Sequence, residues 1–336
     1  MDVSSPALAS SPCTLCPRNC RVRRSEGRIG FCGADNAIRI ARAALHRFEE
    51  PCISGTRGSG AIFFSGCNLR CVYCQNYALS HDCLGFPVSD EDLITRILAL
   101  RDAGAHSLNL VTPTPYADRL AAILRALKPD LGIPVVWNCG GYESLETLAL
   151  LEGLVDVYLP DFKYADPALA ASLSAAPDYP EAAAAAIAAM AAQTGRPVFD
   201  GDGMLTRGTL IRHLVLPGHR ANSIAVLDRL AELFPDRSAV RLSLMSQYTP
   251  EFYERYAPEQ NPSGRPDPLR RRVTTFEYES VLSHAADLGF EGYRQDRASA
   301  TAAYTPTFFS SAEEEASASE EALSPQPQAP SQEQDC

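Results

Sequence analysis

Three cysteines lie within eight residues in the stretch FFSGCNLRCVYCQN, which spans residues 63–76. Cys67, Cys71 and Cys74 have the spacing C-x3-C-x2-C and directly follow a short β-rich run that ends at Gly66. Thiolates are the usual ligands of iron–sulfur clusters, and a short loop can supply three of them while the fourth iron keeps no protein ligand. An iron left open can bind and activate a small molecule, so this loop is the first candidate for chemistry.

Two other interpretations of the same loop stay open. The three cysteines could form a structural zinc site with Cys83 or His81 as the fourth ligand, or they could be buried thiols without a ligand. Structural zinc sites usually pair their cysteines in C-x2-C units and close a tetrahedron. The observed spacing therefore favours the iron–sulfur cluster.

A second group of cysteines occurs near the amino terminus, in the stretches CTLCPRNC and GFCG. A C-x2-C-x3-C spacing with a more distant fourth thiol predicts a closed site for structural zinc or a second iron–sulfur cluster. Its four members are Cys13, Cys16, Cys20 and Cys32, and Cys52 is an alternative ligand. The arginines among them predict a solvated basic face or contact with an acidic partner: Arg18, Arg21, Arg23, Arg24 and Arg28.

Charge and cysteine content exclude several classes of function. The net charge is −11, but seven acidic residues and no basic ones lie in residues 311–336, which leaves about −4 for the rest of the chain. So mild a charge argues against general binding of nucleic acid or an anionic membrane. The 11 cysteines are an odd number in short-spaced groups, and no export signal or membrane span is evident. We therefore expect a soluble cytoplasmic protein whose cysteines bind metal.

Short β-rich runs alternate with helical patterns from Gly60 onward, which predicts parallel strands joined by helices. The strand candidates are residues 61–66, 106–113, 133–139, 155–161, 210–218, 240–248 and 289–295. The helix candidates are residues 89–104, 116–128, 144–152, 179–194, 222–234 and 275–288. This order is typical of an α/β fold, a partial (β/α)6 TIM-like barrel with its chemistry at the carboxyl ends of the strands.

The pattern also predicts how the chain divides into domains. We expect disorder at residues 1–12, a cysteine-rich metal-binding module at 13–58, the core barrel at 59–297 and a disordered acidic tail at 305–336.

The cysteine loop resembles that of the radical S-adenosylmethionine (SAM) superfamily, whose motif is C-x3-C-x-aromatic-C, with Tyr73 as the aromatic residue. Further stretches, among them IARAALHRFEEPCISG, VVWNCGGYESLETL and VDVYLPDFKYAD, are similar to an uncharacterised branch related to pyruvate formate-lyase activating enzyme. The resemblance implies a 4Fe-4S cluster held by Cys67, Cys71 and Cys74, with SAM chelated to the open iron. It also implies reductive cleavage of SAM to a 5′-deoxyadenosyl radical that abstracts hydrogen from a substrate.

The resemblance also implies residues that hold the cofactors. Tyr73 would lie beside them, and the stretch TPTP occupies the place of a motif that binds the amino group of SAM, where Thr112 and Thr114 offer hydroxyls; a plain loop is the alternative. Asp161 and Lys163 match a D-x-K pair and could bind the ribose hydroxyls and the carboxylate of SAM; the alternative is a surface ion pair. The other candidates at strand ends are Asn138 and Arg212, which could pair with a carboxylate.

The expected function is that of a radical SAM enzyme, an oxidoreductase similar to activating enzymes, whose partner could be a glycyl-radical enzyme. An electron donor such as flavodoxin or ferredoxin would supply the electron. The alternatives are radical modification of another peptide or small molecule, and a non-catalytic iron–sulfur or zinc protein for electron transfer or binding. The last alternative requires a fourth protein ligand, for which Cys83 is the candidate.

Overall fold

The computed structural model describes residues 12–255, 266–295, 305–321 and 334–335, and its centre is one sheet of eleven strands. The strands are β1 (Ile38–His46), β2 (Ser59–Phe64), β3 (Phe86–Val88), β4 (Leu108–Val111), β5 (Val135–Cys139), β6 (Val157–Pro160), β7 (Val198–Phe199), β8 (Leu205–Leu214), β9 (Arg241–Met245), β10 (Gly292–Arg294) and β11 (Gln334–Asp335).

Helices cover the sheet and connect its strands. They are α1 (Pro51–Ser54), α2 (Tyr77–Ser80), α3 (Asp90–Asp102), α4 (Ala117–Leu131), α5 (Leu145–Leu151), α6 (Pro167–Ser174), α7 (Tyr179–Thr194), α8 (Arg220–Leu233), α9 (Pro250–Glu254), α10 (Thr275–Asp287) and α11 (Ala312–Glu321). Among the described residues, none of these helices combines the length and apolar character that a membrane-spanning segment needs.

Seven of the strands run parallel, in the order β2, β4, β5, β6, β8, β9 and β10. Strand β1 pairs antiparallel with β2, β3 pairs antiparallel with β1, and β11 pairs antiparallel with β10. In the part of the chain that the structure describes, the outermost strands β3 and β11 do not pair with each other. The result is the open α/β barrel that the sequence predicts, with β10 as a seventh parallel strand.

Strand side chains alternate between the barrel interior and the helix layer. Val136 of β5 packs in an interior cluster with Leu159 of β6, whereas Trp137 packs under the outer helices. Near the carboxyl ends of these strands the interior positions become polar, with Asn138 on β5 and Asp161 just after β6. Because the carboxyl ends of parallel strands meet at one rim of the barrel, these polar side chains converge.

The predicted elements are present with small shifts at their ends. All seven strand candidates and all six helix candidates occur, and helix α3 begins as expected at a capping box, in which Ser89 and Asp92 accept hydrogen bonds from each other's backbone N–H groups. The elements without a candidate are strands β1, β3, β7 and β11 and helices α1, α2, α6, α9 and α11. Strand β1 belongs to residues 13–58 but is hydrogen-bonded to β2 along its length, so the module and the barrel share one sheet; their predicted boundary stays a prediction.

The structure describes part of the predicted acidic tail, and the disorder of the tail stays a prediction. Of residues 305–336, the structure describes 305–321 and 334–335, and Ala312–Glu321 form helix α11. Glu315 is buried and forms an ion pair with Arg96 of α3, so this part of the predicted disordered segment packs on the barrel. The rest of that segment, and residues 1–11 of the predicted amino-terminal one, lie outside the described residues.

We expect Glu277→Gln to destabilise the protein, and to do so less as the pH falls. Glu277 accepts hydrogen bonds from Arg271, Thr274 and the backbone N–H of Gly218. The Arg271 contact and these neighbours hold the pKa of its carboxyl below the ordinary value of 4.5. A depressed folded pKa gives stability that is present above the unfolded pKa and is lost as the pH falls toward the folded one. Losing such charged hydrogen bonds costs about 2 kcal/mol near neutral pH.

Chemical denaturation near neutral pH and about pH 3 measures this difference in the free energy of unfolding. Glu279→Gln, an exposed position on the same helix, is the matched control and should have little effect at either pH. A loss in Glu277→Gln that does not depend on pH would contradict the assignment.

Candidate functional site

A cavity of about 200 Å³ opens at the carboxyl ends of the parallel strands. Most of the site residues predicted from the sequence line it: Cys67, Cys71, Tyr73, Cys74, Thr112, Asn138, Asp161, Lys163 and Arg212. Thr114 does not line it, because its hydroxyl turns away and donates to the buried carboxylate of Glu143 (2.7 Å). The rim therefore brings together the cysteine loop and the polar ends of four strands, β4, β5, β6 and β8.

The cysteine loop is held by backbone hydrogen bonds to segments far away in sequence. Gly66 has a φ of +85° and turns the chain out of β2, and the amide of Cys67 donates to the carbonyl of Cys32 (3.2 Å). Further along, the amide of Val72 donates to the carbonyl of Leu173 at the end of α6 (2.9 Å). These bonds position the three thiols without using the sulfur atoms.

The sulfur atoms have hydrogen-bond donors of their own. The backbone N–H of Leu69 donates to Sγ of Cys67 (3.4 Å), and the hydroxyl of Ser174 donates to Sγ of Cys71 (3.0 Å). Burial and the neighbouring thiols raise the pKa of Cys67, and burial raises that of Cys74 to about 11. The raised pKa values favour the neutral thiols of Cys67 and Cys74, so a cation that compensates the charge would favour their thiolates.

The three thiols of the loop do not meet at one point. Within the described residues, no three His, Cys, Asp or Glu side chains converge closely enough to hold a single metal ion. Each cysteine ligand of an iron–sulfur cluster binds a different iron, so cluster ligands surround a larger space and do not meet at one point. Cys83 does not line the cavity; its Sγ lies 3.8 Å from the carbonyl oxygen of Cys32.

Tyr73 contributes packing and orientation. Its hydroxyl hydrogen-bonds to that of Tyr164 (2.6 Å), which in turn hydrogen-bonds to the hydroxyl of Ser174 (2.7 Å). Ser174 then donates to Cys71, so a buried chain of hydroxyls links the aromatic residue of the motif to one of its sulfurs. The hydroxyl of Tyr73 is thus held in this buried chain, while the residue itself lines the cavity.

A buried charge network forms the opposite wall. Arg212 donates to Asp161 (2.9 Å), to Glu49 (3.1 Å) and to the side-chain oxygen of Asn138 (2.7 Å), while Lys163 forms an ion pair with Asp161. Burial alone would raise the pKa of Asp161, but the charges of Arg212 and Lys163 outweigh it and the pKa is lowered. Asp161 therefore carries a full negative charge between two cations.

Glu49 is a site residue that sequence analysis missed. It follows β1 and accepts hydrogen bonds from both Asn138 and Arg212. The next residue, Glu50, is buried behind it, and burial raises its pKa to about 7. The adjacent acidic residues after the apolar pattern of Ile38 and Ile40 were the available signal, but only recognition of β1 as a strand would have placed them at the rim.

The amino-terminal cysteines lie together, although not as a closed single-ion site. Cys13, Cys16, Cys20 and Cys32 are near enough for their charges to interact, and Arg24 donates to Sγ of Cys32 (3.3 Å). Cys52 is elsewhere, buried in the barrel interior beside Tyr293. The second metal site stays a prediction, and the structure does not bring Cys52 to it.

The predicted basic face of this segment is only partly correct. Arg21, Arg23 and Arg28 are exposed, but Arg18 turns inward, donates to the carbonyl of Asn68 in the cysteine loop (3.0 Å) and stacks on Phe31 (3.7 Å). Arg24 also turns inward and donates to the carbonyl of Pro115. These inward contacts anchor the amino-terminal segment to the site, where a solvated face was expected.

Comparison with known proteins identifies a protein family and a relative that this chain matches. The model of the Radical SAM superfamily matches residues 61–230. An uncharacterized protein of Methanocaldococcus jannaschii, MJ0674, is 31% identical over 292 residues, which is 81% of this chain and 74% of that protein.

Two solved structures are similar at low sequence identity. SuiB of Streptococcus suis, bound to the precursor peptide SuiA, has a TM-score of 0.46 and 12% identity, and the match covers 68% of this chain and 46% of SuiB. A radical SAM methyltransferase from Sphaerobacter thermophilus has a TM-score of 0.45 and 13% identity, with 70% of this chain and 66% of that one covered. The chain thus spans about half the length of the SuiB chain.

We expect Gly66→Ala to destabilise the protein more than Gly132→Ala. Both glycines have a positive φ, +85° and +72°, so a side chain strains both equally. Only at Gly66 would the added Cβ meet another atom, the carbonyl oxygen of Cys32 at 2.5 Å, whereas nothing lies within 4 Å at Gly132. Chemical denaturation should show an extra loss of at least about 1 kcal/mol for Gly66→Ala. Equal losses would mean that Cys32 does not support the loop.

Proposed function

Because the chain belongs to the radical SAM superfamily, whose members bind a 4Fe-4S cluster and SAM, we propose that it cleaves SAM reductively and abstracts hydrogen from a substrate in the rim cavity. The observation that carries the proposal is that three cysteines and a buried charge network line the same cavity. The bound cluster supplies the electron that breaks the sulfonium C–S bond, which gives methionine and a 5′-deoxyadenosyl radical.

Cys67, Cys71 and Cys74 would hold the cluster. The donors on their sulfurs, the N–H of Leu69 and the hydroxyl of Ser174, stabilise negative charge there and thereby influence the reduction potential. The backbone bonds to Cys32 and Leu173 keep the loop in place.

The charge network would hold SAM. Lys163 and Arg212 offer positive charge to a carboxylate, while Asp161 and Glu49 accept hydrogen bonds from ribose hydroxyls or an ammonium group. Thr112 lines the cavity and has a φ of +59°, a backbone conformation that residues with a side chain rarely adopt. Thr114 is removed from this role by its bond to Glu143.

Polar side chains such as Gln75, Asn76 and Gln247 line part of the remaining wall. Its apolar part suits radical chemistry, which requires that water and other hydrogen donors be kept away. It is formed by His46, Phe48, Phe63, Val111, Met245 and Phe252. Burial lowers the pKa of His46 to about 4, so this imidazole is neutral near neutral pH. An apolar substrate side chain would meet no unpaired charge on this wall.

We expect Cys67→Ala, Cys71→Ala and Cys74→Ala each to abolish formation of 5′-deoxyadenosine. The assay uses protein reconstituted anaerobically with iron and sulfide, then given SAM and a strong reductant. Iron content and 5′-deoxyadenosine are measured together, and both should fall because each thiolate holds one iron.

Cys83→Ala is the matched control, since its thiol is half-buried outside the cavity, and it should keep both signals. If Cys83→Ala loses the cluster as well, four protein ligands are in use and the open-iron chemistry fails. A fully reconstituted wild-type protein that makes no 5′-deoxyadenosine would overturn the proposed function.

We expect Arg212→Lys to weaken binding of SAM by about tenfold, because an ammonium group cannot reach Asp161, Glu49 and Asn138 together as the guanidinium does. Equilibrium binding of SAM to the reconstituted protein measures the change, normalised to folded protein. Arg207→Lys, exposed on the same strand, should bind normally. An unchanged affinity of Arg212→Lys for SAM would show that the charge network does not bind SAM.

Activation of a glycyl-radical enzyme stays the finer prediction, with flavodoxin or ferredoxin as the electron donor. It requires that such an enzyme acquire a glycyl radical, seen by electron paramagnetic resonance, when it is incubated with this protein, SAM and the donor. Absence of that signal while 5′-deoxyadenosine forms would direct the search to other polypeptide or small-molecule substrates.

A further inference from the structure

The open side of the barrel carries a strand edge that is only partly used. Strand β1 pairs with β2 on one side, but on the other side β3 covers only Ile38–Ile40. From Ala41 onward, no strand in the described residues pairs with this edge, here called the β1 edge (residues 41–46). Such an edge offers backbone N–H and C=O groups to any extended chain.

The described part of the carboxyl-terminal segment lies against this edge. The amide of Phe309 donates to the carbonyl of Ala41 (3.0 Å), and the side chain of Arg42 donates to the carbonyl of Thr307 (3.0 Å). The amide of Ala43 donates to the carboxylate of Glu315, which also pairs with Arg96. Residues 305–316 thus satisfy two backbone groups of the edge, the carbonyl of Ala41 and the amide of Ala43, without forming a strand.

The side chain of Phe308 anchors this segment in a hydrophobic cluster that borders the cavity, here called the socket. Phe308 packs on a cluster formed by Ala41, Ala61, Phe63, Leu79 and Val111, and its ring lies 5.4 Å from that of Phe63. The small side chains of the two alanines leave the space that the ring occupies. Three cluster members also line the rim cavity, and so does Pro306, two residues before the anchor.

We propose that the β1 edge and this socket are the docking surface for a polypeptide substrate, and that residues 305–316 occupy the surface as an intramolecular competitor. The substrate segment is extended, places an aromatic side chain in the socket and brings a carboxylate toward Arg96 and the amide of Ala43. Bound in this way, the residues next to the aromatic one lie at the cavity, as Pro306 does. This inference rests on the proposed function, because it names the class of substrate that the cavity acts on.

The contacts of the segment fit a competitor that can be displaced. Among the described residues, one backbone-to-backbone hydrogen bond joins the segment to the β1 edge, that from the amide of Phe309 to the carbonyl of Ala41. Phe308 and Phe309 are only half-buried, while Glu315 is buried. An aromatic anchor and one charged contact account for most of the attachment.

The test is binding of a fluorescent peptide of residues 305–321 to a chain truncated after residue 304, followed by anisotropy without iron, SAM or reductant. The truncated chain should bind it, and the full-length chain at least about tenfold more weakly, because its own segment competes. Phe308→Ala in the peptide should weaken binding about tenfold. Glu315→Gln should also weaken it, whereas Glu313→Gln, the same charge change at an exposed position, should not.

A second variant covers the case in which the truncated chain does not fold. Full-length Phe308→Ala loosens its own segment and should bind the wild-type peptide more tightly than the wild-type full-length chain does. Equal binding by both full-length proteins, or binding that ignores Phe308→Ala in the peptide, overturns the proposal.

Failure of the docking surface and failure of the proposed function are distinguishable. Formation of 5′-deoxyadenosine without peptide binding would contradict the docking surface and leave the proposed function intact. Peptide binding without formation of 5′-deoxyadenosine would contradict the proposed function and leave a peptide-binding site without radical chemistry.

Discussion

The buried guanidinium of Arg212 constrains the whole rim of the barrel. A cation removed from water is costly unless hydrogen-bonded counter-charges surround it, and breaking such a buried arrangement is strongly destabilising. Its partners come from different elements: Asp161 after β6, Asn138 on β5 and Glu49 after β1. Satisfying one side chain therefore fixes the relative positions of four parts of the sheet. The polar wall of the cavity follows from that requirement.

The cysteine loop is positioned in a different way from the charge network, by backbone hydrogen bonds. It has little regular structure, and its location depends on acceptors supplied from outside, the carbonyls of Cys32 and Leu173. The charge network and the loop meet electrostatically at Lys163, whose positive charge lowers the pKa of Cys67 and Cys74 against the larger effect of burial. The positive charge of Lys163 on one wall of the cavity thus favours the thiolate forms of Cys67 and Cys74 on the other wall.

Much of this arrangement was predictable because it rests on local patterns. The β-rich runs and capped helices defined the parallel strands, and parallel strands place their ends at one rim, so Cys67, Asp161 and Arg212 could be assigned to the same site. Glu49 could not, because two arginines obscure the apolar alternation of β1 and hide it as a strand. Thr114 was misplaced, since a hydroxyl two residues along a turn can face either way and only the packed Glu143 decides. Order in residues 305–316 depends on long-range contacts of Phe308 and Glu315, which composition does not show.

The bond between the amide of Cys67 and the carbonyl of Cys32 has a consequence for biogenesis. The segment that precedes β1 supports the cysteine loop, with Phe31 held between the guanidinium groups of Arg18 and Arg70. Anything that shifts this segment, such as oxidation of the neighbouring thiols, also moves the loop. Assembly of the rim therefore depends on the segment before β1, and damage to those residues also disturbs the cysteine loop.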